Sequence, residues 1–236
     1  MATHRARTFV RVMRAIPGSP RCAICRAPFG GTAGGVLRRV GYGPSRKNPR
    51  LCQACFEMVP AGGMQMSIGV LFADVRGFTS LAEHQDPGET TALLNRFYEA
   101  SIRVLCRHAI IDKLVGDQVM ALYLPGLLGD PADHMVADAR DLLAAAPADL
   151  AVGVGLDYGM AFVGNVGSGE VKDFTAIGDV VNTAARLQAA AGSGEIVLSR
   201  RVRDLSDDGL TDVEARVLSL KGKTDVEHVL AFRPKP

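Results

Sequence analysis

Asp74 closes the apolar run Val70-Leu71-Phe72-Ala73-Asp74, Asp117 closes Lys113-Leu114-Val115-Gly116-Asp117, and downstream Asn182 and Arg186 stand four apart. Carboxylates at the ends of two β-type runs are what a hard cation takes: Mg²⁺ keeps several waters and is held by one or two carboxylates plus a substrate's phosphates. After Asp74 the chain continues Val75-Arg76-Gly77-Phe78-Thr79-Ser80, a strand end running into a loop able to start a helix, whose free backbone N–H groups suit phosphate. Residues four apart share a helix face, so Asn182 and Arg186 would project together toward one ligand. The pattern points to a metal site that works on a triphosphate.

Periodicity and turn residues supply the elements that must hold these groups. Strands are expected over Met66–Asp74, Ile110–Gly116, Gln118–Tyr123, Leu150–Asp157, Met160–Asn165, Glu195–Leu198, Val213–Ser219 and Val226–Phe232. Helices are expected over Pro87–His108, Pro131–Ala145 and Asp179–Ala191, with a hairpin turn at Gly116-Asp117. This β-α-β-β-α-β order with extensions fits an α+β, ferredoxin-like sheet with helices on one face. Pro60-Ala61-Gly62-Gly63 breaks the pattern before the first strong strand, which sets an expected boundary between domains 1–62 and 63–236.

Three stretches carry a family resemblance: Phe72-Ala73-Asp74-Val75-Arg76-Gly77-Phe78-Thr79, Asp112-Lys113-Leu114-Val115-Gly116-Asp117, and Phe174-Thr175-Ala176-Ile177-Gly178-Asp179-Val180-Val181-Asn182-Thr183-Ala184-Ala185-Arg186. In order and type they resemble the catalytic domain of class III adenylyl/guanylyl cyclases, over roughly Gln65 to Pro236. The resemblance implies attack of the ribose 3′-hydroxyl of a nucleoside triphosphate on its own α-phosphorus, giving a 3′,5′-cyclic nucleotide and pyrophosphate. It implies two Mg²⁺ or Mn²⁺ ions per site, about 3.5 to 4 Å apart in such sites, on Asp74, the Val75 backbone and Asp117. Asn182 would orient the ribose and Arg186 would stabilise charge growing on the α-phosphate. Gly77, Phe78 and Thr79 would line the phosphates, and Lys221, with Lys223 as competitor, would meet the γ-phosphate.

The resemblance also assigns base reading to Lys113 and Thr175. Adenine offers an acceptor at N1 and a donor at its 6-amino group; guanine offers the reverse at both. Lys113 only donates, which implies ATP and an adenylate cyclase, while the Thr175 hydroxyl can accept or donate and so is permissive. In the family the metal aspartates come from one subunit and the base-reading pair, Asn and Arg from the other. This chain carries both sets, which implies a homodimer with two shared sites. Relatives usually carry glycines before the Asp-Lys pair, whereas Arg107-His108-Ala109-Ile110-Ile111 has none. A rival reading is a catalytically silent cyclase-like module.

Composition frames the rest. The chain has 236 residues, 47% hydrophobic and 22% charged, with a net charge of +2. Through residue 66 it holds eleven Arg or Lys against Glu57 alone, a local charge of +10, leaving −8 for the remainder. Such a basic segment is either a solvated face or a docking surface for an anionic partner such as nucleic acid, although no aromatic interleaving supports the latter. No apolar run approaches the ~20 residues of a membrane span, and arginines interrupt the start in a way a secretory signal does not tolerate, so a cytoplasmic location is expected. Cys22-x-x-Cys25 and Cys52-x-x-Cys55 lie 26 residues apart, rather more than the about 15 to 20 of many four-cysteine zinc sites. Structural Zn²⁺ is the favoured reading, with an iron–sulfur cluster and reversible disulfides as alternatives. The first domain is then a zinc-ribbon-like, metal-stapled segment, and lone Cys106 is a core thiol.

Overall fold

The computed structural model describes residues 4–45, 49–57, 63–125, 131–168, 171–206, 210, 213–219 and 227–234. They group into two units, Met1–Gly63 with Gly164–Asp173, and Met64–Val163 with Phe174–Pro236. The first unit contains three short helices, α1 (His4–Ala15), α2 (Gly31–Leu37) and α3 (Gln53–Glu57), and a single wide turn over Arg38–Tyr42. Among the described residues of its first 63 positions, the buried apolar side chains besides four cysteines are Met13, Ala27, Phe29 and Leu51. Arg21 closes α1 by donating to the carbonyls of Met13 (3.2 Å) and Ile16 (2.6 Å), which have no partner within the helix, and to that of Arg26 (3.0 Å).

From Met64 onward the chain runs β1 (Met64–Val75), α4 (Phe78–His84), α5 (Pro87–Leu105), β2 (Ile110–Val115), β3 (Gln118–Tyr123), α6 (Pro131–Ala145), β4 (Val152–Ser168), β5 (Val171–Ile177), α7 (Asp179–Ala190), β6 (Glu195–Ser199), α8 (Arg200–Leu205), β7 (Glu214–Leu218) and β8 (Glu227–Phe232). The sheet order is β2-β3-β1-β4-β6-β8-β7, with β5 pairing β4. β1 lies at its centre, antiparallel to β3 and β4, while β4 and β6 run parallel. The α+β class and the βαββαβ order with extra strands agree with the sequence reading.

Side-chain alternation divides the strands between two cores. Leu71, Ala73 and Val75 of β1 and Val152, Val154 and Leu156 of β4 join Phe97, Val104, Met135, Leu142 and Val202, so α5, α6 and α8 cover one face. Each fully buried Leu or Ile in that layer contributes about 1.5 to 3 kcal/mol. The alternate β4 positions are Gly153 and Gly155, and α7 lies against them, its Leu187 packing with Ala191, Val197, Val229 and Ala231. Helices on one face only is therefore corrected: α7 occupies the other, admitted by glycines that let its backbone approach the strand.

Other differences have local causes. The strand break expected at Tyr158-Gly159 does not occur: β4 runs through it because β1 pairs with it from Val152 to Val163 without interruption. The helix α8 and the strand β5 were not expected, whereas α4 starts in the loop after Asp74 where a helix start is expected; both short helices are too brief to show a period. The missing glycines after α5 are offset by a side chain: Arg107 Nε donates to the Val104 carbonyl at 2.9 Å, and Ala109 N to Leu105 O at 2.8 Å, closing the helix at Leu105. At its other end Asp86 accepts from Gly88 N (2.8 Å) and Glu89 N (3.3 Å) ahead of Pro87. Cys106 is buried in the main core, as expected.

Candidate active site

Sheet register delivers the two aspartates together. β1 pairs β3 with Asp74 opposite Gln118, and the hairpin turn immediately before Gln118 is Gly116-Asp117, with Gly116 at φ 59, the left-handed conformation that a tight hairpin turn favours in glycine. Val75 N donates to Asp117 O at 3.3 Å and the Tyr98 hydroxyl donates to Gly116 O, fixing the turn. Burial raises the Asp117 carboxyl above the ordinary carboxylate range, and the Asp74 carboxylate, close enough to share a hydrogen bond with it, raises it further. Two carboxylates in mutual repulsion at a strand end are a donor set that fits a divalent cation.

Asp74 meets Arg76, whose Nη2 lies 2.7 Å from Oδ1 while its Nη1 points to the Ala191 carbonyl just past α7 at 3.5 Å. This guanidinium, which sequence reasoning passed over, neutralises part of the acidic pair. Gly77, at φ 72, is the N-cap of α4 and offers no side chain to its first turn. Phe78 is half-buried and Thr79 exposed at that turn, where backbone N–H groups lack intrahelical acceptors.

The second group sits on β2, β5 and α7. Lys113 is exposed on β2, next to exposed Leu114 and Val115. Thr175, on β5, is buried, and its hydroxyl donates to Asp112 Oδ2 at 2.8 Å. Asp112 is a buried neighbour of the site that sequence reasoning passed over; its place beside Lys113 in the Asp112-Lys113 pair was the available signal. On α7 the buried stripe is Val180, Thr183, Ala184, Leu187 and Gln188, leaving Asn182 exposed and Arg186 half-buried outside it. Among the described residues, the side chains of Lys113, Asn182 and Arg186 take no hydrogen bond or ion pair from the chain. The structure thus joins Asp74 to Asp117, and Thr175 to the residue before Lys113, without a direct bond between the two groups. Lys221 and Lys223 lie outside the described residues.

In the first unit, the sulfurs of Cys22, Cys25, Cys52 and Cys55 all lie within 4.8 Å of one another, all buried. Cys22 and Cys25 flank a tight knuckle in which Cys22 N bonds Ala27 O at 2.9 Å, while Cys52 leads into α3, with Cys55 N on Cys52 Sγ at 3.3 Å. Hydrogen bonds from Cys25, Cys52 and Cys55 hold the Cys22 thiol far below its ordinary range, and Cys25 falls to about 7. Bonds to Cys22 and Cys25 push Cys52 and Cys55 up. A soft divalent cation would relieve that competition by binding all of them as thiolates.

Comparison with known proteins agrees with this geometry. The family described as "Adenylate and Guanylate cyclase catalytic domain" matches residues 63–231. An uncharacterized protein of Mycobacterium tuberculosis H37Rv, Rv1320c, is 33% identical over 163 residues, 67% of this chain and 27% of that protein, and Rv1319c is likewise 33% identical over 67% of this chain and 29% of its own length. The chain thus spans little more than a quarter of the length of these curated relatives. Among solved structures, the guanylyl cyclase Cya2 superposes with a TM-score of 0.68 at 26% identity, covering 72% of this chain and 93% of its own. The adenylyl cyclase CyaB from P. aeruginosa does so with 0.64 at 26%, covering 73% and 96%. No helix among the described residues is long and apolar enough to cross a membrane. With the family model matching residues 63–231 and its sheet superposing on these structures, the chain belongs to the family of class III nucleotide cyclase catalytic domains.

Proposed function

We propose that this cyclase domain is an adenylate cyclase, converting ATP to 3′,5′-cyclic AMP and pyrophosphate at sites shared between two copies of the chain. The carrying observation is the juxtaposition of Asp74 and Asp117: burial and then the neighbouring Asp74 carboxylate raise the Asp117 carboxyl, leaving an acidic pair suited to a cation. With the Val75 carbonyl, these carboxylates would hold Mg²⁺ or Mn²⁺. Bound there, two ions would acidify the 3′-hydroxyl and neutralise the departing β- and γ-phosphates. Arg76 would give up its contact with Asp74 as the cation binds, remaining tethered toward Ala191.

The chain's own groups do the positioning. The start of α4 after Gly77, with Phe78 and Thr79, supplies backbone N–H groups for the triphosphate, and Lys221 a counter-charge. Asn182 holds the ribose so that O3′ stands in line with the α-phosphorus. Arg186, its planar fork uncommitted among the described residues, meets the charge that accumulates there as the O3′–P bond forms and the bond to the bridging oxygen breaks. Lys113 donates to N1 of adenine and Thr175 accepts from its 6-amino group. Because Lys113, Asn182 and Arg186 make no bond to the aspartate pair in their own chain, the reading that supports best is a two-fold dimer in which each copy completes the other's site; exposed Leu114, Val115 and Ile177 beside these residues offer apolar surface for it.

The first unit is proposed as a zinc-stapled segment in residues 1–62, joined to a cyclase domain over 63–236. A cytoplasmic location is proposed on its paired thiols, which suit a reducing compartment. The deciding assay supplies purified protein with ATP and GTP in Mg²⁺ and in Mn²⁺. Cyclic AMP is the expected main product; cyclic GMP as the main product with both nucleotides present would overturn the assignment, and no cyclic nucleotide in either metal would establish the silent-module reading instead.

A further inference from the structure

Strand β2 is bulged at a functional position. Ile111 pairs with Ala121 and Lys113 with Met120, so Asp112 is an extra residue with no partner on β3. A bulge re-aims the side chains around it: Asp112 is turned inward, 3% exposed, while the next residue, Lys113, faces solvent. Inside, Asp112 Oδ2 accepts the hydroxyl proton of Thr175 at 2.8 Å, and Thr175 is itself only 7% exposed.

A hydroxyl has one proton and two lone pairs. With the proton given to Asp112, Thr175 Oγ1 presents only lone pairs to anything else. Toward a purine edge such an oxygen attracts a 6-amino group and repels a 6-oxo group. We propose that Asp112 is a specificity-determining positioning residue: by holding the Thr175 proton it turns a threonine able to read either purine into one that only accepts, which with a lysine that only donates selects adenine against guanine. The inference rests on the reading of Lys113 and Thr175 as the base-contacting pair, and it removes the permissiveness that threonine by itself would leave. The bulge is what makes the arrangement possible: it sends consecutive residues in different directions, one to the base and one to the threonine behind it.

The test compares kcat/KM for ATP and GTP in the wild type, Asp112→Ala, Thr175→Val and the double variant. Removing the carboxylate frees the Thr175 proton to meet a 6-oxo group, and the ATP:GTP ratio is expected to fall by at least about tenfold. Partial unfolding lowers both nucleotides alike, so the ratio responds to specificity and not to a loss of folded enzyme. In Thr175→Val, ATP is expected to suffer while GTP holds or improves, and adding Asp112→Ala to that background is expected to leave the ratio where it was. An unchanged ratio in Asp112→Ala, or a further shift in the double variant, overturns the proposal. Should Asp112→Ala not fold, Thr175→Val decides: an equal fall with both nucleotides overturns it. A wild type that prefers GTP or makes neither product defeats the adenylate cyclase reading itself, whereas an ATP-selective wild type with an unmoved ratio in the variant defeats the Asp112 inference alone.

Discussion

Replacing Gly155 with alanine tests whether the close approach of α7 to the sheet sets the catalytic geometry. A Cβ built at Gly155 meets Gln188 N at 2.2 Å, Ala184 O at 2.4 Å and Gln188 Cα at 2.7 Å, all backbone atoms of α7 that no rotamer change can remove, where ordinary contact begins near 3.4 Å. The helix must therefore retreat by about 1 Å from β4, loosening the stripe from Val180 to Gln188, at a cost of about 1 to 3 kcal/mol for overpacking. The same displacement carries Asn182 and Arg186, and a misplacement of that size costs roughly 10²-fold in turnover. Cyclic nucleotide formation would be followed well below the melting temperature, with thermal unfolding alongside. Two neighbours on the same strand grade the effect. Gly153→Ala meets its nearest atoms at 3.1 to 3.2 Å, and Gly159→Ala meets Val180 Cβ at an ordinary 3.5 Å, so the order of damage is expected to be 155, then 153, then 159, the last within about twofold of wild type. A Gly155→Ala protein with full turnover and an unshifted melt would refute the reasoning.

Mixing Asp74→Ala with Asn182→Ala is expected to restore about a quarter of wild-type turnover from two inactive chains, because random pairing gives half heterodimers with one intact site of two; no recovery would place each site within one chain. Glu195, only 3% exposed, is gripped by Arg216 at 3.0 and 3.1 Å and by Gly192 N at 2.8 Å, and although burial opposes it these partners hold its carboxyl below the ordinary range. A lowered carboxylate stabilises the fold above the unfolded pKa and loses that contribution as pH falls through the folded value. Arg216→Met should therefore cost about 2 kcal/mol at neutral pH, a deficit that contracts as denaturation is repeated toward and below pH ~4; a deficit independent of pH would mean lost packing and not lost charge pairing. Metal released on denaturation is expected at about one equivalent of zinc per chain and to vanish in Cys52→Ser, with cyclase motifs intact; zinc-free wild-type protein would exclude the structural-zinc reading.

Much of this architecture is legible because its causes are local. The Gly116-Asp117 hairpin is written in two residues, α5 announces itself with Asp86-Pro87, and the unbroken apolar runs of β1 and β3 mark strands buried on both faces. What escapes is decided by partners distant in sequence. Nothing near Tyr158-Gly159 says that β4 continues; twelve residues of β1 pairing opposite it say so. The second helical face is foretold only by Gly153 and Gly155, whose lack of side chain reads as a weak strand until α7 is seen against it. The site shows the same division. The proposed site residues Asp74, Asp117, Lys113, Asn182 and Arg186 stand in motifs legible from the sequence, whereas Arg76 acquires a role only through the carboxylate beside it and Asp112 only through Thr175, 63 residues away.

That division has a consequence for how such a site can change its substrate. The groups that would touch the base are one exposed lysine, replaceable by a single mutation at little structural expense, and one buried hydroxyl tied to Asp112. The residue that fixes the hydroxyl's polarity is buried in a bulge, and there a substitution leaves a hole or an unpaired polar atom behind it. Selectivity is then harder to lose at Asp112 than at Lys113, since drift at the buried position is penalised in folding before it is felt in specificity. A change from adenine to guanine would accordingly have to alter β2 and β5 together: an acceptor at position 113 alone would meet the N1–H of guanine while Thr175, its proton still held by Asp112, continued to repel the 6-oxo group.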